Sequence, residues 1–171
     1  MKSMKNLVLT LLSVFFLSSA HAQEKRASPL VKTQTQMGSL EISIQYGQPA
    51  KKDRDIFGNL VPYGKVWRTG ANEATVIEFS EDVSINGETV KAGKYALFTI
   101  PGENEWTIIL NSQWDQWGAY NYNSEKDVIS FKVKSEKKDK VTENFTITIS
   151  KDGLVEMYWD LTGVEFSVAK A

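Results

Sequence analysis

The sequence predicts an all-β chain, an antiparallel β-sandwich or a closed barrel of roughly nine or ten short strands with long ordered loops. Three observations predict it. Apolar and polar residues alternate with period two over most of the chain. Turn residues recur at short spacing, as Asn86-Gly87, Pro101-Gly102 and Lys151-Asp152-Gly153. No stretch of about ten residues or more carries a helical period.

The elements follow in order. In "SLEISIQYG", Leu40, Ile42, Ile44 and Tyr46 face one way and Glu41, Ser43 and Gln45 the other, a half-buried strand. "ATVIEFS" repeats the pattern with Ile77 and Phe79. "DVSINGETV" is a hairpin, because Asn86-Gly87 suits a type I′ turn with positive φ at both central residues. "KYALFTIPGENEWTIIL" reads as two strands, the first apolar on both faces and so placed mid-sheet under cover on both sides. "DVISFKVK" is a further strand. "NFTITISKDGLVEMYWDL" is a hairpin with Phe145, Ile147 and Ile149 on one face, and "GVEFSV" closes the chain. Lys137, Lys138 and Lys140 read as a solvated loop protecting an edge strand. Two segments break the alternation. Residues 51–70 include "FGNLVPYG", and residues 111–123 are the aromatic-rich "NSQWDQWGAYNYN". Long ordered loops of this kind are where binding sites concentrate.

The N-terminus reads as a secretory signal. Lys2 and Lys5 precede an apolar run at residues 7–17, and Ala20-His21-Ala22 is a small-x-small cleavage site. Residues 1–22 are therefore expected to be removed, leaving a flexible lead-in at 23–29 and one β domain at 30–171. The expected location is the periplasm or the medium. No later apolar run approaches the roughly 18 residues that a membrane span needs. Cysteine is absent, and the only histidine is His21, inside the signal. The mature chain then has no imidazole and no thiol, which excludes Ser-His-Asp and Cys-His sites and zinc sites built on His or Cys. The formal charge is −1, which gives no electrostatic footprint for nucleic acid. "DVSING" begins like a calcium loop, but Gly93 stands where the glutamate of the twelfth position belongs, so no metal is expected. No cofactor motif occurs.

"RDIFGNLVPYGKVWRTGANEATVIEFSEDV", "AGKYALFTIPG", "EWTIILN" and "QWGAYNY" resemble the domain of unknown function 2911 family of exported bacterial proteins. The resemblance runs from about Ser28 to about Val168. It implies a secreted or periplasmic, mostly β protein and carries no assigned activity. Members of that family often have arginine before the proline of "YGQP", where this chain has Gln48.

Of three arginines, Arg26 lies in the lead-in, while Arg54 and Arg68 fall in the glycine-rich region. An arginine fork binds carboxylate or phosphate bidentately, or stacks on a ring. Arg68 has three readings: an internal pair with Glu73 that pins the loop, a ligand contact shared with Asn72, or a solvent-exposed arginine with no special task. Glu73 is either structural or one half of a carboxylate pair, with Asp115 or another distant acid as the other half. Trp114, Trp117, Tyr120 and Tyr122 either pack over one end of the sandwich or present flat faces to sugar rings.

The leading expectation is a binding module for a glycan or an anionic envelope component. Arg54, Arg68, Asn72 and Glu73 would supply polar contacts, and Trp67, Trp114 and Trp117 flat apolar ones. A structural or assembly role in the envelope without a small-molecule ligand is the first alternative. A carboxylate-based polysaccharide hydrolase is the second, and enzymatic activity is the less favoured outcome.

Overall fold

The computed structural model describes residues 26–171. The expected signal peptide and residues 23–25 of the lead-in lie outside the described residues. Ten strands form two antiparallel sheets. They are β1 (Leu30–Met37), β2 (Leu40–Gly47), β3 (Thr75–Phe79), β4 (Val83–Ile85), β5 (Glu88–Val90), β6 (Gly93–Ile100), β7 (Glu105–Asn111), β8 (Asp127–Lys134), β9 (Glu136–Ile149) and β10 (Leu154–Lys170). The larger sheet runs β1-β2-β3-β6-β7-β8 and the smaller β5-β4-β10-β9, so the chain is a sandwich and not a closed barrel. Among the described residues the helical structure is one 3-10 turn, Ser124–Lys126.

The period-two alternation is what closes the core. Leu40, Ile42, Ile44 and Tyr46 of β2 point inward with Ile77 and Phe79 of β3 and Ile108 and Leu110 of β7. They meet Phe145 and Ile147 of β9 and Val155, Met157 and Trp159 of β10 from the smaller sheet. Tyr46 crosses between the layers, and its hydroxyl accepts from the Ile147 amide at 3.0 Å. Asn86 (φ 50°) and Gly87 (φ 82°) make the tight β4–β5 turn with both central residues left-handed, as a type I′ hairpin requires.

β10 departs from simple alternation. Its inward residues are 155, 157 and 159 before Asp160, and 164, 166 and 168 after it. Such a change of parity needs an extra residue. The β9–β10 register shifts on either side of Asp160, which has φ 53°. The "VEMYWDL" and "GVEFSV" runs, which the pattern separates, are thus one bulged strand. The three lysines at 137, 138 and 140 lie within β9 itself, at the edge of the smaller sheet, and not in a loop. Charged side chains along an edge oppose pairing with another chain.

A second, smaller apolar cluster sits on the outer face of the larger sheet. Ala74, Ala96, Phe98 and Ile109 form it, with Val66, Ala119 and Tyr122 packed against them. It accounts for the two-faced burial of β6. The 65–74 and 111–123 segments lie over this face, and they position the site.

Candidate functional site

The "VWRTGANEAT" segment is a detour from the β3 line. Trp67 and Thr99 exchange backbone hydrogen bonds of 2.7 and 3.0 Å, which places Trp67 beside β6. The chain rejoins β6 at Thr75, opposite Leu97. Residues 68–74 loop out between these two points. The neck of the loop is tied by the Thr75 amide donating to Arg68 O (3.1 Å) and the Thr75 hydroxyl donating to Thr69 O (2.7 Å). Its backbone then presses on β2. The Ala71 amide donates to Gly47 O at 3.1 Å, and a β-carbon at Gly47 would stand 2.0 Å from Ala71 O. Only glycine fits that contact.

The outer rim of the detour pairs with the aromatic loop. The Ala74 amide donates to Gln116 O (3.0 Å) and the Gly118 amide to Asn72 O (3.0 Å), so Glu73 and Trp117 form an antiparallel bridge. The N-terminal lead-in lies alongside. Arg26 pairs with Glu73 at 2.8 Å, and the Asn72 side-chain amide donates to Ser28 O at 3.3 Å. Residues 26–29 are therefore tied down at this point.

These contacts frame a cleft of about 350 Å³ on the outer face of the larger sheet. Gln45 of β2 and Val76 of β3 line it, together with Glu73, Trp114, Asp115 and Trp117. Trp114 is 40% exposed and Trp117 57% exposed. A further cavity of about 230 Å³ shares Gln45, Val76 and Trp114 and adds Lys32, Ser43, Glu78 and Lys94, so the groove continues across β1, β2, β3 and β6. Lys94 Nζ lies 5.1 Å from the centre of the Trp114 ring and 3.8 Å from Glu78.

Of the seven residues expected to bind ligand, Glu73, Trp114 and Trp117 line this cleft. Asn72 stands beside it and holds the lead-in. Trp67 corrects the expectation: it is 9% exposed, stacked on Trp159 at 6.0 Å and edge-on to Phe145 at 5.1 Å. Its indole N–H is taken by Gly70 O at 3.1 Å, so it offers no face to a ligand. Arg54 does not line the cleft. Its guanidinium donates to the carbonyls of Lys51 (2.8 Å) and Ala50 (2.5 Å) and folds its own turn. Arg68 is half-buried and does not pair with Glu73, whose partner is Arg26. Its Nε is buried and meets no acceptor among the described residues. A β-carbon at Gly118 (φ +66°) would stand 3.6 Å from Arg68 Nη1 and 3.1 Å from the Tyr120 ring, so glycine lets the loop settle over the arginine.

The aromatic cluster divides. Tyr120 is 82% exposed, whereas Tyr122 packs against Phe98 at 5.2 Å and donates to Asp127 Oδ2 at 2.6 Å. Burial, then the hydrogen bond to Asp127 and its charge, push the Tyr122 phenol far above the ordinary tyrosine range. Gln45 and Gln116 are cleft residues that composition and spacing do not single out, and Asp115, a candidate partner for Glu73 in the sequence, lines the same cleft. Among the described residues there is no group of three or more metal-ligating side chains, and no helix long and apolar enough to cross a membrane.

The fold and site define a class: a two-sheet antiparallel β-sandwich with an aromatic-walled cleft on the outer face of its larger sheet. The chain belongs to the family of proteins of unknown function designated DUF2911, whose model matches residues 28–168. No curated protein and no solved structure matches the chain.

Two stability measurements follow from this geometry. Arg68→Ala breaks no ion pair among the described residues and removes mainly stem packing, so urea unfolding should show a loss under about 2 kcal/mol. A loss of roughly 3 to 5 kcal/mol would reveal a buried pair instead. Tyr122→Phe deletes a hydrogen bond to a carboxylate and should cost roughly 1.5 kcal/mol at neutral pH. A phenol whose pKa is raised on folding adds stability that is whole below its unfolded pKa of about 10 and is lost as pH climbs beyond it. Stability of the wild type should therefore fall above about pH 10, and the fall should be shallower in Tyr122→Phe. Tyr95 and Tyr158 are raised as well, so the difference between the two proteins is the readout. Parallel curves would refute the Tyr122 contribution.

Proposed function

We propose that this protein is an exported binding module whose cleft takes a glycan. The observation that carries the reading is the pair of exposed tryptophans, Trp114 and Trp117, that line a sheet-face cleft. Exposed apolar side chains gathered at one place, unlike scattered single ones, mark binding or docking surfaces. An indole face suits the C–H face of a sugar ring, and polar side chains at the rim suit its hydroxyls. Gln45, Glu73, Asp115 and Gln116 provide that rim. The cleft lies within the range of small-ligand sites. The continuation past Trp114 toward Lys32 and Lys94 favours an extended chain over a single small molecule, and an acidic substituent would find its partners there.

One observation favours a second reading. Glu73 and Asp115 line the same cleft, as a carboxylate-based polysaccharide hydrolase requires of its two acids. Glu73, however, is already engaged by the Arg26 guanidinium at 2.8 Å. The binding reading is therefore preferred, and release of reducing ends during the ligand screen would reverse that order.

Trp117→Ala tests the reading. Against an immobilised panel of bacterial polysaccharides, the wild type should retain at least one glycan, and the variant should bind it about 30-fold more weakly. Its unfolding free energy should stay within about 0.5 kcal/mol of wild type, because the residue is on the surface. Unchanged binding would remove Trp117 from the site. Loss of a dilution-reversible self-association instead of glycan binding would mark an assembly surface.

A further inference from the structure

We propose that the chamber lined by Glu73, Asp115 and Trp117 selects a sugar bearing a free, protonated amine. The inference rests on the glycan-binding reading and assigns the chemistry of that same cleft. Three observations converge on it.

The charged residues lining the chamber are Glu73 and Asp115, both acids. The basic residues of the groove, Lys32 and Lys94, line the adjoining cavity instead. A neutral sugar would leave two carboxylates with hydroxyl donors alone, and an acidic one would meet like charge.

The walls are π faces. The negative face of an indole attracts a cation within about 6 Å of its centre. The protein already uses Trp114 in this way, since Lys94 Nζ lies 5.1 Å from its centroid. Trp117, 57% exposed, has a larger open surface for the same contact.

The chain also supplies its own cation. Arg26 Nη1 lies 2.8 Å from Glu73 Oε1 and 3.0 Å from Oε2, on a side chain that is 48% exposed. An exposed pair of this kind adds little stability, so an incoming amine can displace it. Arg26 marks where the ligand's positive charge sits and competes with it.

The test compares three β-1,4-linked glucose-type hexamers by calorimetry at low salt: fully de-N-acetylated, fully N-acetylated, and one with hydroxyl in place of nitrogen. The de-N-acetylated hexamer should bind at least about 10-fold more tightly than the other two. Glu73→Gln and Asp115→Asn should each remove most of that preference. Glu88→Gln, an exposed acid of β5 outside the cleft, should leave it intact and so excludes a general attraction to acidic protein. Arg26→Ala should tighten binding of the de-N-acetylated hexamer a few-fold. Equal affinity for all three would overturn amine selection and leave the glycan reading standing. Binding of none would count against both. A preference that survives Glu73→Gln and Asp115→Asn would place the amine elsewhere and overturn the assignment.

Discussion

The site depends on one constraint, the return of the chain to β6 at Thr75 after leaving it at Trp67. Between those points residues 68–74 must close a loop on the sheet without a strand ladder to hold them. Every backbone group there needs another partner, because an unpaired buried amide or carbonyl is expensive. The partners are found at Gly47, at Thr69 and Thr75 within the detour, and at Asn72–Ala74 against the 112–118 loop. Thr69 adds a buried hydroxyl contact to Thr99 at 3.1 Å. The result is a loop with the hydrogen bonding of a sheet.

That arrangement explains why residues close in sequence have unlike tasks. Trp67 precedes the detour and points into the sandwich, where Phe57, Trp106, Phe145 and Trp159 surround it. Its ring anchors the start of the loop from the core side. Glu73 lies at the outer rim and faces the cleft. Arg68 lies between these layers, under Gly118. The arginine, asparagine and glutamate that crowd this one glycine-rich stretch have three roles. Arg68 supports the aromatic loop, Asn72 holds both that loop and the lead-in, and Glu73 is the charged wall.

Much of the fold was legible because a half-buried strand writes itself as period two. β2, β3, β6 and β8 follow their apolar patterns, and the Asn86-Gly87 turn fixes one hairpin. β1 was not, since "LVKTQTQM" has polar residues on both faces at the sheet edge and little contrast to read. The β10 bulge was hidden because one added residue inverts the inward set midway, so a continuous strand looks like two. At the site, Trp114, Trp117 and Glu73 were legible from type and density alone. Trp67 was misjudged because burial is a tertiary fact: an indole beside an arginine reads the same in a cleft or in a core. The Arg26–Glu73 pair spans 47 positions, and no local pattern marks it.

The hydrogen bonding of the 68–74 loop implies a prebuilt cleft, its walls held as firmly as the strands beneath. Native-state hydrogen exchange tests this directly, read at the amides of Trp67, Ala71, Ala74, Thr75 and Gly118, which donate to the carbonyls of Thr99, Gly47, Gln116, Arg68 and Asn72 in turn. The expected result is protection close to that of the β6 and β7 amides, with opening only on global unfolding. Exchange at these positions as fast as in the exposed Lys52-Asp53 turn would contradict the claim. The cleft would then form only when a ligand orders it.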